Sequence, residues 1–150
     1  MLLETTRFGT IEVDEARIVS FQEGLPGFPQ ARLFALLEHS PESPFHWLQS
    51  VEEGALAFVV MDPMLLDRDY LKAIPQEALA ELDLEEAGQA AVLVIVNIQR
   101  AGGTITANLL APLIINPQSR SGKQVILLGS GYEIKQPILP NGQAQMESRS

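Results

Sequence analysis

The 150-residue chain has no cysteine, two histidines, one tryptophan and two tyrosines, and only 6% of it is aromatic. Without thiols there can be no disulfide scaffold, zinc ribbon, iron–sulfur site or cysteine nucleophile, and thiol usage says nothing about compartment. Basic residues are also scarce, ten Lys and Arg against nineteen Asp and Glu, for a formal charge of −9. Nucleic-acid affinity depends on Lys and Arg displacing condensed counterions, so direct binding of RNA or DNA is not expected. Long apolar runs are missing too. The longest, Ala90 to Val96, is far shorter than the roughly 18 residues a spanning helix needs, so no membrane association is expected. Glu4 sits inside the first few residues and no long apolar stretch follows it, so no secretory leader is expected.

What is present suits one globular domain. A chain of this length buries roughly 70% of the surface its unfolded form exposes, and 46% of its residues are hydrophobic, enough for a core without a structural metal. The acids are concentrated. From Glu38 to Glu86 there are twelve, against Arg68 and Lys72, a local charge of −10. Such a stretch can serve as a solvated, dispersing surface or can steer a basic protein partner.

Strand-sized β-rich runs separated by turn residues dominate: 17–21, 33–37, 45–51, 56–61, 90–98, 104–109, 113–115 and 124–128. Gly, Pro, Asn and Ser punctuate them at 24–29, 41–44, 102–103, 117–122 and 129–131. The pattern predicts an all-β fold, mainly antiparallel and barrel- or sandwich-like, with one or two short helices. One helix should start near Pro75 and bury Ala78, Leu79 and Leu82, and a turn is possible over 67–73. Residues 90–98, apolar almost throughout, read as a central strand covered on both faces. Residues 1–139 form the expected domain. Residues 140–150, polar and aperiodic, read as a disordered tail.

Chemistry-bearing patterns are few. His39 and His46 have no second ligand at a metal spacing, and Asp62, Asp67 and Asp69 lack the ligand alternation of a calcium loop. Gly122-Lys123 has Pro117 where a phosphate loop needs its first Gly, and reads as a hairpin turn. No nucleophile elbow occurs. No metal, cofactor or catalytic group is therefore assigned, unless a cleft were to gather a histidine with Asp62, Asp67 or Asp69.

Three segments are more specific. In 21–28, Pro26-Gly27 suits a type II turn flanked by Phe21 and Phe28, either a rigid corner plugging a barrel end or a binding loop. In 44–50, Phe45, Trp47 and Gln49 share one strand face, and Trp47 could be core or a partner anchor. In 106–116 a strand is interrupted by Pro112, which lacks a backbone donor, so the strand must run at an edge or break there. Apolar Leu110, Leu113 and Ile115 beside such an edge could accept another chain.

These segments together resemble the flagellar assembly factor family, FliW. The resemblance rests on G-L-P-G-F at 24–28, P-F-x-x-L-Q-S at 44–50, T-x-N-L-x-A-P-x-x-x-N at 106–116 and G-K-Q at 122–124, in that order. It covers the chain to about Leu139. It implies a non-enzymatic bacterial cytoplasmic protein with a β-barrel-like fold and two protein partners, flagellin and the RNA-binding translational repressor CsrA. In the implied switch, flagellin holds the factor away from CsrA; once flagellin is exported, the freed factor binds CsrA and relieves repression of flagellin synthesis. An acidic protein docked on the repressor could weaken its hold on RNA through charge alone. The alternative is an export or assembly chaperone for a filament subunit with no regulatory role. The contact candidates are apolar Leu110, Pro112 and Leu113 beside the broken edge, and polar Gln49, Asn108, Asn116 and Gln124, amides that could equally satisfy backbone in turns.

Overall fold

The computed structural model describes residues 1–38, 41–99, 102–140 and 142–143. Among the described residues eleven strands carry the fold: β1 (Leu2–Thr5), β2 (Gly9–Glu12), β3 (Ile18–Phe21), β4 (Leu33–Glu38), β5 (Phe45–Ser50), β6 (Ala57–Met61), β7 (Ala91–Ile98), β8 (Ile105–Ala107), β9 (Leu113–Asn116), β10 (Ser121–Gln124) and β11 (Gln136–Pro137). The one α-helix among the described residues is α1 (Gln76–Glu81), accompanied by four short 3-10 turns, and Pro75 is its N-cap. The helix buries Ala78 and Leu79, with Leu82 at its C-cap, as their spacing requires.

β3 to β7 form an antiparallel meander, β10 pairs with β3 and β9 with β10, and β9 returns to β7. The seven strands thus close into a barrel. Closure uses one parallel pairing, Ser121 with Ser20 and Gly122 with Phe21; every other pairing is antiparallel. Inward-facing residues of alternate positions fill it, among them Phe21, Phe34, Leu48, Val60, Leu93 and Leu113. The Phe21 ring explains Gly122, where a Cβ would stand 2.5 Å from Cε1 of that ring. Gly122-Lys123 is therefore strand, not the hairpin turn expected; the turn lies before it, at residues 117–120.

Two covers wrap the outside. Tyr70, Leu79, Leu82 and Leu84 from the helical segment pack on Met61, Val94, Val96 and Ile114. The β1–β2 hairpin packs Leu3 and Val13 on Ala35, with Ile18 and Leu37 beside them. β7 is covered on both faces from Val92 to Val96, as its composition predicts, whereas Ala91, Asn97 and Ile98 are exposed. The Pro26-Gly27 corner also forms, with Gly27 at φ 80° and Leu25 bridged to Phe28. Phe21 from this corner lies in the barrel core and Phe28 packs on Phe58. No helix among the described residues is long and apolar enough to cross a membrane. Of the tail expected at 140–150, residues 141 and 144–150 lie outside the described residues, as does His39.

Candidate protein-binding site

The segment Ile105–Asn116 begins as β8 and ends as β9, both antiparallel to β7. Ala107 faces Val96 and Leu113 faces Leu93, so six steps on this segment span three on β7 and three residues are looped out. That bulge is the break Pro112 demands, since its nitrogen cannot donate to the ladder. It is clamped rather than loose. Asn108 Oδ1 accepts from the Ala111 amide at 3.1 Å and Gln124 Nε2 donates to the Ala111 carbonyl at 3.1 Å. Beyond β10 the chain continues alongside, the Val125 amide donating to Pro112 O and the Leu127 amide to Leu110 O.

The structure therefore gathers Asn108, Leu110, Pro112 and Gln124 around Ala111, and leaves Gln49 and Asn116 elsewhere. Pro112 and Leu113 are fully buried, and the bulge turns them inward, so the exposed apolar edge expected at these two positions lies elsewhere. Gln49 is 0% exposed and its Nε2 donates to the carbonyls of Ser50, Gly54 and Leu56, fastening the β5–β6 hairpin. Asn116 Nδ2 donates to Leu82 O at 2.8 Å, tying the helical cover to the barrel, while its Oδ1 receives the Gln118 amide. In this conformation those amides serve the scaffold, as buried polar groups must when they have partners at hand. Asn108, Leu110 and Gln124 are half-buried and keep some surface.

The exposed apolar surface next to the bulge comes from residues that composition had not singled out. Ile126 is 60% exposed, Leu128 87% and Ile134 58%. Leu127 between them is buried against the helical cover, so the alternation along this strand-like run forces its neighbours outward. The signal was in the run Val125-Ile126-Leu127-Leu128, four apolar residues at an edge where only every other one can be buried. The Ile126 amide donates to no other described backbone or side-chain group. The loop carrying Ile134 is fastened twice: the Leu109 and Leu110 amides donate to Glu133 O, and the Tyr132 hydroxyl donates to the Asp67 carboxylate. That hydroxyl bond, followed by the Asp69 amide, holds the Asp67 carboxyl below its ordinary range, while burial and then Asp67 push the Tyr132 phenol up to about 12. Burial likewise raises the Tyr70 phenol, whose hydroxyl donates to Leu109 O.

Of the remaining candidates, Asp62 caps the Met64 amide at 2.9 Å and Asp69 pairs with Lys72 at 3.2 Å on the surface. His46 and Asp62 do line one cleft of about 330 Å³ at a barrel end, together with Leu36, Met64 and Leu93. His46 Nδ1 is buried there without a hydrogen-bond partner, so the carboxylate–imidazole bond that orients an acid–base pair is not made. Trp47 is half-buried on the outer face, edge-on to Phe8 and beneath the Arg7 guanidinium.

The geometry defines a small closed mixed β-barrel whose outer face carries an apolar ridge beside a clamped bulge. Comparison with known proteins agrees: residues 2–138 match the family model described as FliW protein, and the chain belongs to the FliW family. It is 39% identical over 148 residues to the flagellar assembly factor FliW of Alkaliphilus metalliredigens, covering 98% of this chain and 91% of the relative. Against the flagellar assembly factor FliW of Syntrophus aciditrophicus the identity is 39% over 141 residues, 94% and 89% of the two chains. A crystal structure of the flagellar assembly factor FliW superposes with a TM-score of 0.80 at 36% identity, covering 93% of this chain and 98% of that one. Membership in this family supports a role in flagellar assembly.

Proposed function

We propose that this chain is a non-enzymatic, cytoplasmic flagellar assembly factor that works by binding two proteins in turn, flagellin and the translational repressor CsrA. The observation that carries the reading is the exposed ridge of Ile126, Leu128 and Ile134 beside Leu110, on a domain whose relatives are named as assembly factors. Contiguous exposed apolar side chains on a soluble domain mark a surface for another protein. The bulge supplies rigidity: the Asn108–Ala111–Gln124 clamp and the Tyr132–Asp67 bond hold the ridge in one shape before a partner arrives, which lowers the ordering cost of binding. Leu110, Asn108 and Gln124 rim this surface and Pro112 and Leu113 support it from below, while Gln49 and Asn116 fasten the scaffold away from it. Acids between Glu38 and Glu86 favour a basic RNA-binding partner and hasten its encounter.

The test is a calorimetric titration with the CsrA-type repressor of the same organism, with and without flagellin and at two salt concentrations. Repressor binding that weakens when flagellin is added supports the switch, and weakening with salt adds the acidic segment to it. Leu128→Asp, at a site with nothing buried to lose, should weaken partner binding at least tenfold while leaving the unfolding midpoint in place. Tight binding to flagellin alone would leave an export chaperone without regulation. Silence with both partners would overturn the reading.

A further inference from the structure

A second surface, separate from the ridge, lies where β6 and β7 part. Their ladder ends at the Val59–Val96 pair, so Ala57 and Phe58 face Asn97 and Ile98 across a groove without pairing. The groove measures about 470 Å³. Trp47, which sits directly opposite Val59 on β5, forms one wall, and Ile98, 47% exposed, forms the other. Arg7 reaches over from the tip of the β1–β2 hairpin, its guanidinium 4.4 Å from the centre of the indole ring. No described carboxylate lies within ion-pair distance of Arg7. In a chain of charge −9, this groove has a single charged residue in its lining, and that residue is a cation.

We propose that the groove binds an extended peptide segment in which a carboxylate side chain is flanked by bulky apolar residues. Each part of the site asks for one part of that ligand. The unpaired backbone at Ala57 and Ile98 offers strand-type hydrogen bonds to an extended chain, and the Val59–Trp47–Ile98 lining takes apolar side chains. The guanidinium, 4.4 Å from the centre of the indole, presents its N–H groups to a carboxylate as a fork. A basic or neutral segment would leave that fork unpaired.

Trp47 is the sole tryptophan, so its emission reports directly on the groove. The probes are blocked pentapeptides Ser-Leu-Glu-Leu-Ser and Ser-Phe-Glu-Phe-Ser, with Gln-for-Glu counterparts, titrated into the full chain. The expected result is a saturable shift in Trp47 emission with the Glu peptides, at least tenfold weaker with the Gln peptides and at least tenfold weaker in Arg7→Glu. Arg7→Lys should recover only part of the loss, because an ammonium lacks the fork. Ile98→Asp, an exposed change that spares the core, should weaken the Glu peptides as well, and amide shifts at Ala57 and Ile98 should accompany binding to the unaltered chain. No saturable response up to millimolar peptide, equal response to Glu and Gln peptides, or unchanged affinity in Arg7→Glu would each overturn the proposal. So would a concentration-dependent dimer that Arg7→Glu dissolves, since the groove would then belong to a second copy.

Discussion

On one side of the barrel the helical segment lays down Tyr70, Ile74, Leu79, Leu82 and Leu84 against β6, β7 and β9, and two buried polar ties, Tyr70 to Leu109 O and Asn116 to Leu82 O, stitch it in place. On the other side the β1–β2 hairpin contributes Leu3 and Val13 to a small cluster on Ala35, and its long-range backbone ties include Thr6 to Gly54 O. The first cover shares the larger core cluster; the second rests on a small separate one. Since apolar burial scales with area, the helical cover should open only with the whole domain, and the hairpin should open on its own. The difference also assigns surfaces. The fixed cover braces the ridge through Leu127 and Tyr132, whereas the hairpin carries Arg7 over the Trp47 groove.

Breaking the fixed cover should cost most. Leu79, 2% exposed, loses its side chain in Leu79→Ala, and a cavity under a well-tied helix should remove about 3 kcal/mol, read as a lowered urea midpoint with a single transition. Next comes the closure beneath both covers. Gly122→Ala drives a methyl into the Phe21 ring at the parallel β3–β10 contact and should cost about 2 kcal/mol. Leu3→Ala sharpens the contrast: hydrogen exchange of β1 and β2 amides should accelerate well over tenfold while α1 and β7 amides barely change, because about 2 kcal/mol is lost from a unit that already opens locally. Equal acceleration throughout would mean that the hairpin and barrel unfold as one.

The same contrast explains what the sequence made legible. Strands β3 to β7 announce themselves by apolar runs between turn residues, and α1 by its spacing, because each pattern is local and buried. The β1–β2 hairpin was missed: Leu2–Thr5 and Gly9–Glu12 are short and mostly polar outward, and only Leu3 and Ile11 of them turn to the cluster. Parallel closure joins residues about a hundred positions apart, and nothing in either short strand names its partner. In the candidate site, Pro112 located the break correctly, but burial of its neighbours depends on three looped-out residues that only register reveals. Gln49 and Asn116 were ambiguous for a chemical reason. An amide offers the same donors and acceptors to a partner as to its own backbone; here the backbone took both ends of Asn116 and the donors of Gln49, whose Oε1 is buried without a partner.

The smallest effect lies at the junction of ridge and fixed cover, where the Tyr132 hydroxyl meets Asp67. The bond to Tyr132, with the Asp69 amide, stabilises ionised Asp67, whose folded pKa lies below the ordinary 3.8. Its contribution is therefore complete above that ordinary value and fades as pH falls through the folded one. Tyr132 behaves oppositely. Burial and the neighbouring carboxylate raise its pKa from 10.0 to about 12, so its contribution is complete below pH 10 and fades as pH rises toward 12. The latch is thus whole across the neutral range and weakens at both ends. In Tyr132→Phe the stability difference from the unaltered chain should be a plateau from about pH 5 to 9, shrinking on either side, when urea midpoints are followed by far-ultraviolet circular dichroism. Burial, the main cause of Tyr70's raised phenol, acts in both proteins, so taking differences removes most of its titration and leaves only the part that charged Tyr132 adds. A difference that stayed level from pH 3 to 11 would show that the hydroxyl bond is idle and that packing against Tyr70 and the backbone bonds to Glu133 O hold the loop.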